Sequence, residues 1–168
     1  LGGDRGLYGR LTAKENLEYF AALNHIEPRL SSTRAEALLD DVGLLDRANT
    51  PVDEFSRGMK QRLHIARGLI TDPEVIFMDE PTIGLDVLAR RNIRKFIRDY
   101  NQQHRTTILL SSHDMTDIQE VCERLLLVAS GQIVFDGKLE EFERQHQRNP
   151  AFRTRDVQFS FDLGHETP

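Results

Sequence analysis

The sequence predicts an α/β fold built on a parallel sheet, and three observations support this prediction. Two short apolar runs, 75–78 and 106–110, have the length and composition of strands. The first run is bounded by turn residues, as in a strand that is buried on both faces. Segments with apolar residues at helical spacing alternate with these runs, and that alternation favours a parallel sheet covered on both sides.

Three helices are predicted in the first half of the chain. Thr12 opens the first helix through a capping-box signature. Pro28 interrupts the pattern, and the second helix is predicted to run from the cluster Ser31-Ser32-Thr33 to Gly43, a C′ residue. The third helix is predicted to start near Ser56, because serine is a strong N-cap residue.

The second half is predicted to alternate strands with helices. A helix with apolar residues near position 96 follows the first strand, and another covers about 116–122 after the second strand. The segments 125–128 and 132–135 flank Ser130-Gly131, which predicts a β-hairpin.

The chain is predicted to divide into three regions. Residues 1–70 form a helical subdomain, residues 71–143 form the α/β core, and residues 144–168 form a C-terminal extension. In the extension, apolar residues alternate at Val157, Phe159 and Phe161. This alternation predicts either an edge strand or a partly ordered tail.

Composition narrows the functional classes. The 168 residues carry a formal net charge of -5, which argues against a nucleic-acid partner, since such proteins present a basic surface to phosphate. The lone Cys122 has no internal disulfide partner, which favours a reducing compartment. No apolar run approaches the roughly 20 residues that cross a bilayer, so any work at a membrane is expected to need a spanning partner.

The strongest chemical signal is an apolar run that ends in two acids, Asp79 and Glu80. Adjacent acids after a buried parallel strand stand at the carboxyl edge of the sheet, where α/β folds bind ligands. One carboxylate can hold Mg²⁺ while the other activates the water that attacks a γ-phosphate. An isolated pattern of this kind is more often only the start of a polar turn.

Four blocks in order give the acids their context. The segment 55–59 reads Phe-Ser-Arg-Gly-Met, 76–80 ends in the two acids, 84–86 reads Gly-Leu-Asp, and His113 follows the second strand. This order resembles the ABC ATPases, with the blocks matching the signature motif, the Walker B strand, the D-loop and the switch histidine. The resemblance extends to about position 141.

The resemblance implies a P-loop NTPase-like fold, with part of a RecA-like parallel sheet and a helical signature subdomain, and it implies ATP and Mg²⁺ as cofactors. It assigns these roles: Glu80 as general base, Asp79 as Mg²⁺ ligand, His113 as γ-phosphate sensor, Ser56, Arg57 and Gly58 as contacts to ATP held by a partner subunit, and Asp86 in communication across the dimer. Arg57 and Met59 depart from the commonest signature and resemble drug and antibiotic exporters.

The family's phosphate-binding loop is absent from these residues, and the Q-loop glutamine, expected at about Gly3, is also absent. We therefore expect this chain to be a C-terminal portion whose start at Leu1 is a cut. By itself it is expected to bind ATP poorly and to be inactive.

The predicted function is that of the ATP-hydrolysing subunit of an ABC transporter. It would act peripherally at the cytoplasmic face of the membrane, with a second ATPase subunit and a transmembrane permease that exports a substrate the sequence does not specify. Leu7, Tyr8 and Phe20 are candidate permease contacts. Two alternatives stay open: a soluble ABC-type ATPase of ribosome or DNA metabolism, and a truncated, inactive regulatory fragment.

Overall fold

The first part of the described chain is helical, and the second part combines strands with helices. The computed structural model describes residues 6–146 and 158–162. The helices are α1 (Ala13–Leu23), α2 (Pro28–Asp41), α3 (Arg57–Leu69), α4 (Val87–His104), α5 (Met115–Val121) and α6 (Leu139–His146). The strands are β1 (Val75–Asp79), β2 (Thr107–Ser112), β3 (Arg124–Ala129), β4 (Gln132–Lys138) and β5 (Gln158–Asp162).

The chain folds into two compact units. The first consists of Leu1–Pro73 with Gly84–Phe96, and the second of Glu74–Ile83 with Ile97–Pro168. The first unit is helical, and the second contains the sheet. The three regions expected from the sequence stay a prediction.

The predicted capping box at the start of α1 is confirmed. The Glu15 amide donates to Thr12 Oγ1 at 3.2 Å, and the Thr12 amide donates to Glu15 Oε2 at 2.8 Å. Two backbone donors that the first turn cannot satisfy are therefore bonded to side chains. These bonds fix the start of a helix whose Leu17 is fully buried.

The predicted start of α2 was wrong. The helix begins at Pro28 and not at Ser31, with Glu27 as its N-cap. Proline fits the first helical position because the N–H that it lacks would have no helical partner there. The predicted end is confirmed: Gly43 follows the C-cap Val42 and has a φ of 65°, the left-handed geometry of a C′ glycine.

The sheet has the order β1-β2-β5-β3-β4. β1 and β2 are parallel, as predicted, whereas β5 is antiparallel to both of its neighbours, β2 and β3. The predicted edge strand around Phe159 and Phe161 is therefore an interior strand, because it supplies hydrogen bonds to a strand on each side. Val157 lies outside the described residues, as does Gly3.

The predicted hairpin is confirmed. β3 and β4 are antiparallel, and Ser130 and Gly131 connect them with φ values of 50° and 75°. Two positive φ values in a two-residue loop match the twist of the flanking strands. Because nothing lies within 4 Å of a Cβ built at Gly131, the turn is set by backbone geometry and not by packing.

The prediction that β1 is buried on both faces was wrong. Met78 is buried, but Val75 and Phe77 are 51% and 75% exposed. Successive side chains of a strand point to opposite faces, so the described residues cover only the face that carries Met78.

Among the described residues, no helix combines the length and the apolar character that spanning a bilayer requires.

Candidate functional site

Two acidic side chains stand at the carboxyl end of β1. Asp79 is the last residue of the strand, and Glu80 follows it. Asp79 lies opposite Ser111 in the parallel pairing of β1 with β2, so both strands end at the same edge of the sheet. Ligands of open α/β sheets bind beyond this edge. Both predicted acids are thus where a ligand would meet the sheet.

Ser111 connects the two acids to β2. Its hydroxyl donates to Asp79 Oδ1 at 2.5 Å. The Glu80 amide donates to both the hydroxyl and the carbonyl oxygen of Ser111, each at 3.1 Å. Sequence analysis did not identify Ser111, because its position opposite Asp79 follows from the strand register.

His113 forms a hydrogen bond with Glu80 at the edge of the sheet. Its Nδ1 lies 2.8 Å from Glu80 Oε1, and the two side chains are 67% and 25% exposed. The hydrogen bond to Glu80 raises the pKa of His113, and the negative charges of Glu80, Asp114 and Asp117 act in the same direction against a small effect of burial. The pair can therefore hold a proton between carboxylate and imidazole.

The backbone at Glu80 is strained. Its φ is 49°, in the left-handed region that side-chain-bearing residues rarely adopt. Such a conformation costs about 1–3 kcal/mol and persists only where its surroundings impose it. Here the bonds from its amide to Ser111 impose it. Strain of this kind concentrates at functional sites, which favours a functional role for Glu80.

A buried polar cluster lies behind the pair. The side chains of Thr82, Ser112 and Asp117 are 4%, 2% and 2% exposed. Thr82 Oγ1 donates to Asp117 Oδ2, and Ser112 Oγ donates to the same oxygen at 3.1 Å. Sequence analysis missed this cluster. Thr82 lies 35 residues before Asp117, and no local pattern signals that the two are in contact.

The acids fit a magnesium ion in one respect. Asp79 is exposed at the sheet edge, and Mg²⁺ is commonly held by one or two carboxylates together with waters and substrate phosphates. Within residues 6–146 and 158–162, no group of three or more His, Cys, Asp or Glu side chains is arranged to hold a metal ion. A site built on Asp79 would therefore need oxygen ligands from water and nucleotide.

A second group of predicted residues lies in the first unit, at the start of α3. Ser56 is the N-cap, as predicted, and its Oγ accepts a bond from the Met59 amide at 3.3 Å. A Cβ built on Gly58 would lie 3.3 Å from Leu85 Cδ2, so this glycine permits close packing against the loop before α4.

Arg57 packs against the same loop. A Cβ built on Gly84 would lie 2.9 Å from Arg57 Cζ, and Gly84 has a φ of 71°. The backbone conformation therefore favours glycine at position 84, and an added Cβ would also displace the flexible end of the Arg57 side chain. The sequence alone left the direction of Arg57 open; in the structure the guanidinium lies on the backbone at Gly84.

Asp86 is the residue before α4. Its Oδ1 accepts a bond from the Ala89 amide at 2.8 Å, which satisfies a free donor in the first turn of the helix. The structure thus brings Asp79, Glu80 and His113 together in the second unit. Ser56, Arg57, Gly58 and Asp86 lie in the first unit.

Comparisons with known proteins agree with this architecture. Residues 2–83 match a family model described as ABC transporter. The ABC transporter ATP-binding protein NatA of Bacillus subtilis (strain 168) is 41% identical over 157 residues, which are 92% of this chain and 63% of NatA. Fluoroquinolones export ATP-binding protein MT2762 of Mycobacterium tuberculosis (strain CDC 1551 / Oshkosh) is 44% identical over 129 residues, 76% of this chain and 40% of that protein.

A solved structure shows the same fold. The dimeric post-hydrolysis structure of the ATP-binding cassette MJ0796 bound to ADP and Pi has a TM-score of 0.69 and 28% sequence identity. The match covers 79% of this chain and 59% of that chain.

The chain has a P-loop NTPase-like α/β fold, as the sequence predicted. More specifically, residues 2–83 match the ABC transporter family model, and the curated relatives described above are ABC transporter ATP-binding proteins. Its relatives include proteins named for drug export and for antibiotic resistance. The chain spans about two fifths to just over three fifths of the length of the curated relatives described above.

Proposed function

We propose that this chain is part of the ATP-hydrolysing subunit of an ABC exporter. One observation carries the proposal: Glu80 and His113 are hydrogen-bonded at 2.8 Å beside Asp79, at the sheet edge where α/β folds bind ligands. Export is the proposed direction of transport because the relatives include an ATP-binding protein named for fluoroquinolone export. The isolated chain contains no phosphate-binding loop and is expected to be inactive alone.

Glu80 is proposed as the general base. Its carboxylate would accept a proton from the water that attacks the γ-phosphate, and His113 would contact that phosphate while bonded to Glu80. Asp79 would hold Mg²⁺, whose charge offsets the negative charge of the phosphates. Ser111 would keep the Asp79 carboxylate oriented through its hydroxyl bond.

The start of α3 is proposed as a phosphate contact for a second subunit. A helix N-terminus presents free amides to an anion, and Ser56 and Gly58 lie at this end without bulky side chains. Arg57 adds a positive charge. Asp86 would transmit the state of one site to the other. The dimeric structure of the cassette MJ0796 supports a pair of ATPase subunits.

A transmembrane permease is the proposed second partner, with the ATPase peripheral at its cytoplasmic side. Tyr8 is 48% exposed and packs edge-on against Tyr19, with ring centroids 4.8 Å apart. Phe20 adjoins both rings, so the three aromatic side chains form a surface that a permease loop could contact. Leu7 is buried and is not part of this surface.

The test is ATP hydrolysis by the natural polypeptide that carries this chain, with and without Glu80→Gln. Loss of a general base lowers kcat by about 10²–10⁴-fold, whereas ATP-driven dimerisation should persist. Glu74→Gln, at the opposite end of β1, is the matched control and should leave kcat unchanged. Wild-type turnover in Glu80→Gln would remove Glu80 from the base role. A wild-type polypeptide without ATPase activity would favour the inactive regulatory fragment.

A further inference from the structure

The Asp117 carboxylate is a junction between two segments of the second unit. Asp117 lies in the first turn of α5 and is 2% exposed. Its Oδ2 accepts one bond from Thr82 Oγ1 and another from Ser112 Oγ at 3.1 Å. A carboxylate buried to this extent is stable only when hydrogen-bonded, so both hydroxyls are held in place by it.

The two hydroxyls lie on the segments that carry the hydrogen-bonded pair. Thr82 is two residues after Glu80, and Ser112 is the residue before His113. The Asp114 amide also donates to Ser112 Oγ at 3.1 Å, which fixes the turn that contains His113. Any shift of Asp117 would therefore change both ends of the 2.8 Å contact between Glu80 and His113.

The left-handed backbone at Glu80 makes the bonds from Thr82 and Ser112 to Asp117 more important. A residue with a φ of 49° returns to a more favourable conformation unless both flanking segments are held. On one side, the Glu80 amide is held by Ser111. On the other side, the bond from Thr82 to Asp117 ties the residues after Glu80 to α5.

We propose that Asp117 is a positioning residue that, through Thr82 and Ser112, holds Glu80 and His113 in hydrogen-bonding contact. This inference rests on the proposed function insofar as it concerns turnover. Its two hydrogen bonds act on the segments that carry the reacting groups.

Substitutions of Thr82 separate this role from ordinary packing. Thr82→Val keeps the shape of the side chain and removes the hydroxyl, whereas Thr82→Ser keeps the hydroxyl and removes the methyl group. If the bond to Asp117 is what matters, valine is the damaging change. If packing is what matters, serine is the damaging change.

The experiment compares both variants with wild type in the natural polypeptide. We expect Thr82→Val to lower kcat by up to about 100-fold with KM for ATP unchanged, and Thr82→Ser to stay near wild type. The nitrogen NMR resonance of His113 Nδ1, which reports its bond to Glu80, should move in Thr82→Val and not in Thr82→Ser. Ser112→Ala should move it as well, because it removes the second donor to Asp117.

Two results would overturn the inference: an unchanged kcat and His113 resonance in Thr82→Val, or an equal loss in Thr82→Ser. If the wild-type polypeptide hydrolyses no ATP, the proposed function fails. The His113 resonance in the same variants then decides the positioning role separately, because it needs no turnover.

Discussion

Gly84 and Gly131 offer a matched pair for testing how Arg57 packs. Both have left-handed backbones, with φ values of 71° and 75°. Alanine at either position has to adopt that conformation, which costs about 1–2 kcal/mol of unfolding free energy. Only at Gly84 does the added Cβ meet another group, since it would lie 2.9 Å from Arg57 Cζ and nothing lies within 4 Å at Gly131.

The magnitude follows from that difference. Relieving the contact displaces the end of the exposed Arg57 side chain from the backbone at Gly84, and because that end is flexible the cost is about 0.5 kcal/mol, the low end of a rotamer penalty. We therefore expect Gly84→Ala to cost about 0.5 kcal/mol more than Gly131→Ala in urea unfolding of the natural polypeptide. In an Arg57→Ala background the difference should vanish, which makes the surplus a coupling between positions 57 and 84.

The reasoning would be refuted if Gly84→Ala and Gly131→Ala cost the same amount with Arg57 present. It would also be refuted if the surplus survived Arg57→Ala. Either result would mean that the guanidinium does not pack on the loop before α4.

Three further outcomes are expected. In an NMR titration the pKa of His113 should lie above the usual value of about 6.5, and Glu80→Gln should bring it back towards that value. Because the pKa is raised in the folded state, the His113–Glu80 contact stabilises the fold fully below a pH of about 6.5. This stabilisation is lost as the pH rises through the folded-state pKa. Thr12→Ala should lower the unfolding free energy by about 1 kcal/mol and Thr12→Ser by much less, measured by urea denaturation. Cys122 should react with thiol reagents only after unfolding, because burial raises its pKa far above the usual range.

Local chemistry made several elements predictable from sequence. The Thr12 capping box, the Ser56 N-cap and the two-residue hairpin at Ser130 each depend on bonds or dihedral angles within a few residues. The acids of the site were predictable for the same reason, because the end of an apolar run marks the end of its strand. Pro28 was predicted to interrupt a helix, but it starts one. Proline can do either, and here the N-cap bond of the preceding residue, Glu27, identifies it as a helix start.

Contacts between distant segments were not predictable. The interior place of β5 depends on pairing with two strands far away in the sequence, and alternation alone does not distinguish interior from edge strands. The bond from Thr82 to Asp117 likewise joins a loop to a helix. The exposure of Phe77 depends on which elements cover β1, and an apolar run does not specify that.

The position of β5 has a consequence for the order of folding. β2 and β3 do not pair with each other; each pairs with β5, whose Phe159 lies opposite Ser112 on one side and Leu127 on the other. Among the described residues, β1 pairs with β2 and β3 pairs with β4, and the two pairs meet in one sheet only through residues 158–162. These non-local pairings carry a large loop-closure entropy and are expected to set the folding rate of the sheet.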